Sequence, residues 1–155
     1  MVRHYLHAVA LVLLAALACA TRAEPSLQTA QTSAAELDYL QHCSGCHQSD
    51  GGGSAANHVP PLPGSVGHFL RSATGRAFVI QVGGVAQAPI TDAALAALLN
   101  WMLLAFDQAN LPRDFSPYTA VEVASARATR PGDIAASRAR VVAELRAQGY
   151  EVASY

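Results

Sequence analysis

The chain has 155 residues, 52% of them apolar and 14% charged, with ten arginines, no lysine, eleven acids and a formal charge of -1. That balance leaves no basic footprint for nucleic acid. The length suits one small domain with a modest core.

Taken in chain order, Arg3 and His4 precede an apolar run over residues 6–20 that ends in small residues, the pattern of a secretory signal peptide. The run is shorter than the roughly 20 apolar residues that a membrane-spanning helix needs. Thr21-Arg22-Ala23 supplies a small-x-small cleavage site, and the preferred cut follows Ala23. Ala18-Cys19-Ala20 competes with it, and Cys19 raises a lipoprotein reading that Ala16, at a position usually held by leucine, opposes. A retained amphipathic or membrane anchor is the other reading of this segment. After cleavage eight arginines face eleven acids, a formal charge of -3.

Residues 24–32 are polar and unpatterned and read as a flexible lead. Ser33-Ala34-Ala35-Glu36 has the form of a capping box, which starts a short helix with Leu37, Leu40 and Tyr39 on its apolar side. That helix runs directly into Cys43-Ser44-Gly45-Cys46-His47. Gly51-Gly52-Gly53-Ser54 is a loop, and the proline-rich stretch 58–64 is neither helix nor central strand. A short helix is expected over 67–73, while 77–82 fits strand and helix equally well. The strongest periodicity follows: Thr91 as N-cap, Asp92 in the first turn, then Leu95, Leu98, Leu99, Met102, Leu103 and Phe106, a helix over 91–106. Leu111-Pro112 ends it, and 119–122 and 133–148 predict two tail helices. The whole reads as an all-α fold: a domain over 33–110 of three to four helices, and a helical extension over 111–155.

Two thiols at this spacing serve a redox dithiol, half of a metal site, or an attachment point for haem. The histidine immediately after Cys46 selects among them. In C-x-x-C-H both thiols can form thioethers with haem vinyl groups while the imidazole binds iron from one face. A thioredoxin-like dithiol needs a strand before it and a helix after it, whereas here a helix precedes and a glycine loop follows. A structural zinc site needs four ligands, usually with a second close pair, and His42, His58 and His68 do not form one. The reading is therefore one covalently attached haem c, held by Cys43 and Cys46, with His47 as proximal iron ligand.

With these residues the chain resembles the class I cytochrome c family. The similarity lies in a short helix entering "CSGCH", the "PPLPG" segment, and an amphipathic helix beginning after "APITD", and it covers Ser33 to about Phe106, slightly under half of the chain. The resemblance implies a Pro-Leu turn whose proline carbonyl orients the proximal histidine, for which Pro61-Leu62 or Pro60-Pro61 stand in place. It also implies an aromatic contact between the first and last helices, which Tyr39 and Trp101 would supply. Ordinary core packing of Trp101 is equally compatible.

The family pattern breaks at the second iron ligand. The residue before Pro89, where a methionine is expected, is Ala88. Met102 lies more than ten residues inside the last helix, roughly 15 Å from the loop that reaches the iron at 1.5 Å per residue. It shares the leucine stripe, so it reads as core. His68 is the candidate distal ligand if the segment after "PPLPG" folds over the haem. His58 reads as proximal, Gln87 as an amide that binds iron or water, and an open or weakly held sixth position is the leading expectation.

These features predict a periplasmic electron carrier between a dehydrogenase, of quinoprotein type for example, and a downstream acceptor, rather than an enzyme. The docking surface would be small and transient, framed by residues 51–56 and 85–89. The alternatives are a ligand-binding or peroxidase-like haem protein, with His68 beside Arg71 or Arg76, and a haem subunit fixed to a larger oxidoreductase. Residues 24–110 carry a charge of -4 and residues 111–155 a charge of +1, which favours packing of the tail onto the domain. Ala136, Val141, Val142 and Leu145 form its apolar side, with docking to another subunit as the alternative.

Overall fold

The computed structural model describes residues 34–153. The expected signal peptide, the flexible lead and the Ser33 cap lie outside the described residues. From Ala34 onward the chain is one compact unit, and among the described residues it is all-helical, with only an isolated antiparallel bridge between Ser54 and Val59.

Residues 34–42 form the first helix, α1. Its buried face is not the expected one: Tyr39 is fully buried and Ala35 nearly so, while Leu37 and Leu40 are 62% and 45% exposed. Tyr39 determines the face. Its ring packs on Trp101 at 5.4 Å and on Phe106 at 5.0 Å, and its hydroxyl donates to the Gln48 carbonyl at 2.7 Å. An amphipathic aromatic with both needs met outweighs two leucines, so the two leucines turn outward.

α2 is the single turn Ser44–His47. An irregular stretch containing a 3₁₀ turn at Ala55–Asn57 leads to α3, Val66–Phe69. α4, Ala73–Gln81, resolves the ambiguous 77–82 stretch as helix: the Ser72 hydroxyl accepts from Gly75 N, and Phe78, Val79 and Ile80 are buried. α5 is the turn Gly83–Ala86. α6, Asp92–Asp107, has the expected Thr91 cap, with its hydroxyl accepting from Ala94 N, and buries Leu95, Leu98, Leu99, Met102 and Leu103. Its last residue is the buried Asp107, which accepts from Gly64 N at 2.8 Å, Gly67 N at 2.6 Å and Asn110 Nδ2 at 2.6 Å. The carboxylate thereby satisfies donors at the start of α3, which has no capping side chain of its own.

α7, Ala120–Ala128, and α8, Ile134–Ala147, are capped by Thr119 and Asp133. Both pack back onto the helices before them, α7 against α4 and α6, and α8 against α3 and α4. Tyr118, Val123, Val141, Val142 and Leu145 join the common core, while Ala136, expected on that side, faces solvent. Among the described residues, Arg127 with Asp92 and Arg76 with Glu122 form ion pairs that cross between the halves. Arg127 to Asp92, at 2.7 Å, follows the predicted charge asymmetry, whereas Arg76 to Glu122, at 2.5 Å, reverses it. Tyr118 completes the attachment: its backbone pairs reciprocally with the Asn100 amide, at 2.7 and 3.0 Å, and its hydroxyl donates to the Arg76 carbonyl.

Candidate functional site

Cys43 ends α1 with its N–H still bonded to the Tyr39 carbonyl, and its own carbonyl accepts from Cys46 N and His47 N. That one turn places Cys43 and His47 four residues apart on one face, and both line a cavity of about 280 Å³. Cys46 stands exposed on the same turn and is not in the wall. Burial pushes the Cys43 thiol up to about 11, with smaller contributions from Asp38 and Cys46. Burial also holds the His47 imidazole below its ordinary 6.5, and so neutral. The Pro60 carbonyl opposes that shift, and Nδ1 of His47 is buried without a hydrogen-bond partner.

The chain then folds tightly against this histidine. Gly53 N donates to the His47 carbonyl at 3.0 Å, Leu62 N to the Gly51 carbonyl at 2.8 Å, and the Gln48 amide to the Gly53 carbonyl. Gly53 has φ +69°, and a Cβ there would stand 2.7 Å from the Pro60 carbonyl oxygen, so glycine is required. These bonds bring Pro60, Pro61 and Leu62 into the wall, where the proline-leucine turn is expected.

The rest of the wall comes from farther along the chain. Val66 and Phe69 of α3 face the cavity; His68, on the same short helix, does not. It stacks on Tyr150 with ring centroids 5.0 Å apart, and Arg71 Nε approaches its Nδ1 at 3.5 Å. Arg71 also lies over Tyr150 and donates to the Asn110 carbonyl, and Arg76 is bidentate to Glu122. The pairing of His68 with Arg71 or Arg76 that peroxide chemistry would require is thus not assembled at the cavity; all three hold the tail instead. Met102, Ala88 and His58 do line it, and Gln87 does not.

The tail contributes two wall residues that the sequence reading did not single out, Ile134 and Arg138, from α8. Their signal was present, because positions 134, 138, 141, 142 and 145 form one helical stripe. Arg127, from α7, acts behind the wall. It donates to the carbonyls of Ala88 at 2.9 Å and Ile90 at 3.1 Å, while its Nε is buried without a partner.

A mostly hydrocarbon cavity, with a thiol and a neutral imidazole on one edge and a second thiol beside them, suits a flat apolar group tethered through sulfur and coordinated by nitrogen. The class so defined is that of small helical proteins that hold a haem through C-x-x-C-H. No protein-family model matches the chain. It is similar to a cytochrome c-552 of Thermus thermophilus, at 33% identity over 135 residues, covering 74% of this chain and 89% of that relative. It is also similar to a second cytochrome c-552 of the same species, at 32% identity over 119 residues, covering 64% of this chain and 90% of that one. The chain belongs to the c-type cytochrome family. The likeness covers more of it than the slightly-under-half carried by the motifs, so it extends beyond the stretch from Ser33 to Phe106.

Proposed function

We propose that the protein is a periplasmic electron carrier holding one haem c, with thioethers at Cys43 and Cys46 and His47 as proximal ligand. The observation that carries this reading is the joint placement of Cys43 and His47 in one apolar wall, with an imidazole kept neutral and one of its nitrogens unpartnered. When bound, the group supplies a one-electron iron couple. The chain's own part is to bind, orient and dehydrate. The tight 47–62 loop fixes the imidazole, and Leu62, Phe69, Leu95 and Leu99 exclude water from the cavity, conditions that tune a metal's potential. In the 51–56 and 84–89 stretches, Gly52, Ala55, Ala56, Gly84, Gln87 and Pro89 are exposed and uncharged, a surface suited to brief docking with a dehydrogenase and an acceptor. The periplasmic assignment rests on the sequence of residues 1–23, and among the described residues no helix is long and apolar enough to cross a membrane.

Mass spectrometry of protein from the periplasmic fraction is expected to show one covalently added haem, with a pyridine haemochrome of the two-thioether form. Covalent haem retained after Cys43→Ala and Cys46→Ala together would overturn the reading.

A further inference from the structure

We infer that the sixth position of the iron has no protein ligand and takes a small exogenous anion, with Arg138 as the cation that favours it; this rests on the haem reading above. Besides Cys43 and His47, the wall contains two side chains able to coordinate iron through nitrogen or sulfur, His58 and Met102. His58 lies two residues before Pro60, whose carbonyl acts on the His47 ring. The Gly53 to His47 bond and the Ser54–Val59 bridge hold that loop together. His58 therefore belongs to the side of the cavity already occupied by the proximal ligand. Met102 follows Trp101, whose ring packs on Tyr39 four residues before Cys43, and it is buried in the α6 stripe with Leu98 and Leu99. It is 5% exposed and packs as a member of the core cluster.

Elsewhere the wall includes Phe78, Val79, Val82, Val85, Ala88 and Ile134, whose side chains have no lone pair to offer, and Ser65, whose neutral hydroxyl is a poor iron ligand. The linker between α4 and α6 is too short and too firmly held to bring one in. Residues 82–91 contain no histidine, methionine, cysteine or tyrosine, four of them are the turn Gly83–Ala86, and Arg127 ties down the carbonyls of Ala88 and Ile90.

Arg138 is the one charged side chain among the residues lining the cavity. It is half-buried, and its Nη2 donates to the Ala153 carbonyl at 2.5 Å. A guanidinium stays protonated throughout the accessible pH range and presents five N–H donors. Beside a hydrocarbon wall its field is screened less than in water. It therefore raises the affinity of a bound anion such as azide, cyanide or nitrite while leaving a neutral diatomic nearly unaffected.

The test uses the intact holoprotein, with covalent haem first established by pyridine haemochrome. Ferric wild type, Arg138→Gln and Arg138→Lys are titrated with azide, and the ferrous forms with carbon monoxide. The expected result is ligand uptake by the wild type, about tenfold weaker azide binding in Arg138→Gln, near-wild-type binding in Arg138→Lys, and carbon monoxide affinity within about twofold throughout. The lysine variant separates loss of charge from loss of fold. A low-spin ferric spectrum that azide does not alter would show a protein ligand closing the position and overturn the inference. Unchanged azide affinity in Arg138→Gln together with an altered reduction potential would overturn it too, by assigning the guanidinium to a carboxylate of the haem. Both outcomes leave covalent haem in place and defeat this inference alone; absence of covalent haem defeats the haem reading itself.

Discussion

The two sides of the cavity are built at different ranges. Around Cys43 and His47 the wall closes over short stretches of chain: Cys43 to His47, His47 to Gly53, Gly51 to Leu62. Around Ala88 it is held from 35 to 39 residues away, through Arg127 to Ala88, Ile90 and Asp92. Arg130 repeats the arrangement on the Gln81 carbonyl, and the Gln81 amide donates back to the carbonyls of Ala126 and Thr129. The first wall is held by hydrogen bonds within one local segment, whereas the second also takes its hydrogen bonds from the tail. The tail is therefore structural for the cavity and not an appendage, and damage to it should reach the sixth position before it reaches the cysteines.

The sharpest way to break the local wall is Gly53→Ala. A left-handed φ costs a residue with a Cβ about 1–2 kcal/mol, and overpacking against the 59–60 backbone adds a similar amount. The expected loss is about 3 kcal/mol, read from denaturant melts of the holoprotein, together with a lower haem yield. A variant as stable as wild type would show that the loop is not tightly closed.

Arg127→Ala breaks the distant wall instead. It leaves two carbonyls and the Asp92 carboxylate without this partner, at an expected cost of about 2 kcal/mol. Haem attachment should survive. Amide exchange should quicken in 82–91 and stay slow in 47–62; the opposite pattern would undo the contrast between the two walls.

Met102→Leu probes the boundary between wall and core. It conserves volume, so the expected cost is below about 1.5 kcal/mol, with unchanged oxidised and reduced haem spectra. Loss of a sulfur-to-iron band near the red edge would make Met102 a ligand and close the sixth position.

The smallest effect is expected at the ion pair that fastens α7 to α4. The Arg76 guanidinium holds the Glu122 carboxyl below its ordinary 4.5, so the folded state binds fewer protons there than the unfolded one. The stabilisation is complete above pH 4.5 and is lost as the pH falls through the lower folded value. The pair is partly solvated, so Glu122→Gln should cost under about 1 kcal/mol at neutral pH. The difference from wild type in urea melts should shrink on acidification below 4.5; a gap that persists in acid would mean that packing, not charge, holds the tail here.

The sequence by itself determined the parts whose physics is local. The C-x-x-C-H turn, the Thr91 cap and the α6 stripe depend on spacing within one turn or one helix, and each stands where the residues imply; the place of Pro60 to Leu62 in the wall was legible only through the family resemblance. Even the Tyr39 to Trp101 contact was legible, through the family resemblance. Only the tertiary structure decided which face of α1 is buried, because Trp101 and Phe106 compete for that face from some sixty residues away. It also decided that His68 serves Tyr150 rather than the cavity, and that Arg138 reaches the cavity from a tail helix. A helix's period fixes which residues share a face. What that face meets depends on the partners the rest of the chain brings to it.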